Sequence, residues 1–138
     1  MERGLKLLQE VDGTGRSAVK GDRVTYNLRI FLNRGEEVPL NEAQAEEVPA
    51  ARLREEGGRP VVDRIITLGK RQAIAAVEYS LAGMREGGYR KVRASPHLAY
   101  GKQGVPGLIP ENAVLILEIW LRVSAPPPAG PPRSGPAA

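Results

Sequence analysis

The segment AVLILEIWLRV near the C-terminal end places Leu115, Leu117, Ile119, Leu121 and Val123 at every second position, with Glu118 and Arg122 among the residues between. A period of two gathers those five on one face of an extended strand, and no helix can do the same. VTYNLRI repeats the pattern, with Val24, Tyr26, Leu28 and Ile30 facing one way and Thr25, Asn27 and Arg29 the other. RPVVDRIITL and YRKVRAS read as strands by their β-branched content, and LKLLQEV is a first strand ahead of them. The count is about five strands. One segment has the other period: after Leu68-Gly69-Lys70, Ile74, Val77, Leu81 and Met84 recur at spacings of three and four, and Gly83 and Gly87-Gly88 end the run. An antiparallel sheet covered by one amphipathic helix is an α+β arrangement.

Between the strands lies an acidic stretch. Residues 36–58 hold seven Glu and two Arg, a local balance of −5 inside a chain of net charge +4, so the rest of the body is basic. Asn41 with Gln44 has the form of a capping box, Val48-Pro49 interrupts, and AARLREE runs from Ala50 to Gly57-Gly58, which predicts one or two short helices on a long connection. A partner-binding flap and a tolerated surface insertion both account for such a connection. The remaining Lys and Arg are spread over the strands without interleaved aromatics, a solvated surface rather than a nucleic-acid interface.

The 138 residues suit one domain, placed at 1–123. Residues 124–138, SAPPPAGPPRSGPAA, carry six of the twelve prolines and no core residue, and are expected to form an extended, disordered tail. With no cysteine and one histidine, disulfides, thiolate chemistry and an imidazole metal site are not expected, and neither is a cofactor. His97, beside Ser95 and Pro96, is read as a surface or capping residue in a helical turn. No apolar run approaches bilayer length, and the expectation is a soluble, cytoplasmic monomer without membrane or nucleic-acid partners.

Several short motifs then fall in a telling order: Gly13-x-Gly15, Gly21-Asp22, a strand bearing Tyr26, Leu68-Gly69-Lys70, Met84-x-x-Gly87, and AYGKQGVPGLIPENAVLILEI. In this order and spacing the chain resembles the FKBP-type peptidyl-prolyl cis-trans isomerases, without a gap from Leu68 to Leu121. The resemblance implies a sheet of about five antiparallel strands curling round one helix. It also implies catalysed rotation about the bond preceding proline, whose uncatalysed barrier is about 18–20 kcal/mol. Proline-containing peptides or protein segments are the implied partners.

Carried over position by position, the resemblance implies catalytic roles for Tyr26, Ile74 and Tyr100, with Val77, Leu108, Ile109 and Leu117 lining the substrate cleft. Tyr100 would offer its hydroxyl, and Ile74 its backbone N–H, to a substrate carbonyl. For each tyrosine, ordinary packing is the other reading. The family's floor tryptophan corresponds to Val77, two further aromatic positions are Arg64 and Leu117, and the Phe-Asp pair falls near Val38-Pro39. A pocket with fewer aromatics makes fewer contacts with a proline ring, so the expectation is weaker catalysis, poor binding of macrolide immunosuppressants, and a preference for bulky apolar residues before the proline. A non-catalytic FKBP-like binding module is the alternative; a general chaperone fits least, because the loop before the last strand is short.

Overall fold

In the computed structural model, residues 2–39 and 50–127 are described. They form a seven-stranded antiparallel sheet and one short helix: β1 (Leu5–Val11), β2 (Arg23–Leu32), β3 (Glu37–Val38), β4 (Ala50–Glu56), β5 (Arg59–Thr67), α1 (Ala75–Leu81), β6 (Tyr89–Ala94) and β7 (Leu115–Ala125). The strand order is β1-β6-β7-β2-β5-β4. One edge of β2 is shared, with β5 along Arg23–Tyr26 and β3 at Ile30 and Phe31. The other edge pairs with β7 from Arg23 to Leu32. Alternation decides which faces are buried: Val24, Tyr26, Leu28 and Ile30 of β2 meet Leu115, Leu117, Ile119 and Leu121 of β7 in one core. The helix lies over this face, against β7 and β6. Among the described residues no helix is long and apolar enough to cross a membrane.

The five expected strands are all present, and two more join them. AARLREE is not helical; it is β4, paired with β5 from Ala50↔Ile65 to Glu56↔Arg59. The reason is the turn. Gly57 and Gly58 both have positive φ, 59° and 78°, the backbone a two-residue hairpin needs to match strand twist, and two glycines adopt it without strain. The local pattern of AARLREE is compatible with a helix, but pairing of all seven residues with β5 outweighs it. The capping box proposed at Asn41 and Gln44 lies outside the described residues.

A second departure is in β7. Its partners on β2 slip between Thr25↔Val123 and Tyr26↔Leu121, leaving Arg122 as the extra residue of a bulge. Beyond it the alternation reverses. Val123, expected on the core face, is 48% exposed, and Ser124, assigned to the tail, is 4% exposed and belongs to the strand. The helix is also shorter than its stripe: it stops at Leu81, and Met84, beyond Gly83, is buried from a loop whose carbonyl accepts the Ala18 N–H at 2.7 Å.

Candidate active site

The approach to α1 is held by side chains. The Glu78 carboxylate accepts the N–H of Gly69 at 2.8 Å and of Ala73 at 3.3 Å, and Gln72 Oε1 accepts that of Thr67 at 2.7 Å. The chain is thereby fixed up to Ile74, the residue before the helix, whose carbonyl accepts from Val77 at 3.0 Å and Glu78 at 3.2 Å. Its own N–H donates to no acceptor among the described residues. The first N–H groups of a helix have no partner within it, so this donor stands ready for a ligand carbonyl.

Tyr100 follows a 3-10 turn, Pro96–Leu98, the helical turn expected around His97. The turn is closed by donation from Ala99 and Gly101 to the Pro96 carbonyl, at 2.9 and 2.8 Å. The loop beyond is a small hairpin of its own: Val105 and Ile109 exchange backbone bonds at 2.9 and 2.8 Å around Val105-Pro106-Gly107-Leu108. Proline second and a glycine of φ 78° third are the residues a type II turn requires. That turn closes on Leu108, half-buried against the core, and sends Ile109 inward.

All seven residues singled out from sequence come together in one apolar cluster, but at two depths. Tyr26, Val77, Ile109 and Leu117 are buried, while Ile74, Tyr100 and Leu108 are half-buried and form its rim. Val77, expected at the floor of the cleft, is only 1% exposed, closed over by its neighbours. Leu117 is likewise fully buried, so both floor positions are sealed.

Arg64 is the departure whose burial was not anticipated. It pairs across the strands with Tyr26 and is 2% exposed, so a guanidinium occupies the face of the sheet that carries the wall tyrosine. The alternation of β5, with Val62, Arg64 and Ile66 all buried, was the available signal. Among the described residues no group of three or more His, Cys, Asp or Glu is placed to hold a metal ion.

Residues 14–122 match the family model of the FKBP-type peptidyl-prolyl cis-trans isomerases. An FK506-binding protein of Neisseria meningitidis serogroup B is 30% identical over 118 residues, covering 86% of this chain and 94% of its own. FK506-binding protein 4 of Chaetomium thermophilum is 34% identical over 124 residues, and that of Aspergillus fumigatus 46% over 119, each matching 86% of this chain. The chain spans only 22% and 21% of the lengths of those two fungal proteins. With the family model covering most of its length and a bacterial relative aligned nearly end to end, the chain belongs to the FKBP-type peptidyl-prolyl cis-trans isomerase family.

Proposed function

We propose that this chain accelerates rotation about Xaa-Pro bonds of peptide and protein segments, at the rim formed by Ile74, Tyr100 and Leu108. The observation that carries this reading is the Ile74 N–H, undonated among the described residues and held in place by the Glu78 carboxylate through the preceding loop. Amide resonance keeps the prolyl bond planar and moves charge onto the carbonyl oxygen, which water stabilises. An apolar rim removes that water and weakens the resonance. The Ile74 N–H holds the chain by a neighbouring carbonyl, and the Tyr100 hydroxyl holds another, so that the proline ring turns while its flanks stay fixed. No bond is made or broken, and binding the twisted amide better than either planar form is sufficient for catalysis.

The test is the cis-to-trans rate of a panel of proline tetrapeptides with and without the protein. Uncatalysed exchange takes tens of seconds or longer at 25 °C, so even modest catalysis is visible. Rates equal to buffer at high protein concentration would remove the isomerase reading. The sealed floor at Val77 and Leu117 favours a second one, a non-catalytic module that binds prolyl segments at the rim, and the same panel separates the two. Because Val77 stands at the floor position and Val38 is buried at the edge of β2, macrolide immunosuppressants should bind weakly or not at all; nanomolar affinity by calorimetry would contradict this.

A further inference from the structure

The loop that carries Ile74 has another side. There a surface hollow of about 630 Å³ lies among Lys20, Leu68, Arg71, Ala73, Ala75 and Tyr79, a volume in the range of ligand-binding clefts. Its lining is mainly apolar, and Tyr79, on the solvent side of α1, is 46% exposed. The one acid at its margin, Glu78, is committed to the Gly69 and Ala73 N–H groups. Two cations stand there without an ion pair among the described residues, Lys20 and Arg71. Both are constrained. The Lys20 stem lies against Gly69, where an added Cβ would come within 2.7 Å of Lys20 Cγ. Arg71 holds a left-handed backbone, φ 55°, uncommon for a residue with a side chain.

We propose that this hollow is a second substrate subsite, which takes an acidic stretch with an aromatic or large apolar side chain flanking the prolyl bond. The inference rests on the isomerase reading and extends it. Ala73 and Ala75 line the hollow and flank Ile74 in the chain, so a peptide bound at the Ile74 N–H is led directly to it. The apolar side chain covers Tyr79 and Ala75, and carboxylates meet Lys20 and Arg71, exposed cations on the same lining. The expected preference for bulky apolar residues before the proline is thereby joined by a mixed acidic and apolar signature in the flanking residues.

The experiment uses two blocked decapeptides with one Leu-Pro bond, Glu-Phe-Glu-Ala-Leu-Pro-Ala-Glu-Phe-Glu and its twin with every Glu replaced by Gln. Calorimetric affinity and cis-to-trans rate are measured for the full chain and for Lys20→Gln/Arg71→Gly, in which glycine suits the left-handed backbone at position 71. Two exposed pairs should make the Glu peptide bind about fivefold tighter at low salt, a ratio that falls to near one in the double variant. It should also fall as salt rises to about 0.5 M. Equal affinities for the unmodified chain, or a preference that persists in the double variant, overturn the subsite. Preference in affinity with no acceleration of either peptide upholds the subsite and removes the isomerase reading; acceleration without preference does the reverse.

Discussion

Replacing Asp22 by alanine should strip three hydrogen bonds to its carboxylate from the fold. Asp22 is 2% exposed. Its Oδ1 accepts from Arg16 Nη2 at 2.9 Å, and its Oδ2 from the Val19 N–H and the Ser124 hydroxyl, both at 3.1 Å. Its carbonyl accepts the Leu68 N–H at 2.8 Å, so the same residue fixes the start of the loop that leads to Ile74. Alanine returns Arg16, 44% exposed, to water, but strands the buried Ser124 hydroxyl and takes the acceptor from the Val19 N–H in its part-buried turn. At about 1–2 kcal/mol for each orphaned group the loss is about 3 kcal/mol, and for a domain of this size the melting midpoint should fall by about 10 °C. The sign of the pH dependence follows from the carboxyl. Donation from Arg16, the largest effect, with Val19 and Ser124 outweighs burial and holds it below the usual carboxylate range. A depressed pKa contributes stability above the unfolded value of about 3.9 and loses it as pH falls through the folded one. Thermal melts followed by circular dichroism from pH 7 to pH 2 should therefore show wild type and Asp22→Ala converging in acid. A midpoint within about 3 °C of wild type at pH 7, or a gap that stays constant into acid, would refute the ion-and-hydrogen-bond account.

The remaining expectations concern the cleft. Tyr100→Phe should lower the isomerisation rate several-fold with a small change in melting midpoint; a large stability loss with an unaltered rate would make Tyr100 structural. Val77→Trp should destabilise by about 1–3 kcal/mol and bring no gain in rate, because the floor is already filled, and a faster, equally stable variant would show that space was left. Gly104→Ala should abolish activity while most of the sheet stays folded: position 104 has φ 61°, and a Cβ there would overlap the Ile109 and Pro110 carbonyl oxygens. Unchanged activity together with native amide chemical shifts across residues 104–110 would overturn that.

Features that depend on local period and on local turn chemistry were legible in the amino-acid order. Alternation in β2 and β7 specified their buried faces, because side-chain direction repeats every two residues whatever the strand pairs with. The spacing of Ile74, Val77 and Leu81 located α1, and the ordered motifs from Gly13 to the last strand indicated the family and the seven residues that meet in one cluster. The rest depends on long-range pairing and packing. AARLREE carries no decisive period, and only the Gly57-Gly58 turn and β5 beside it make it a strand. Val123 and Ser124 exchanged faces because of a bulge set by pairing with Thr25 and Tyr26, nearly a hundred residues earlier, and that exchange is what delivers the Ser124 hydroxyl to Asp22. The depth of Val77 and the burial of Arg64 likewise depend on which side chains close over them. Those neighbours come from distant strands, and no local pattern specifies how tightly they pack.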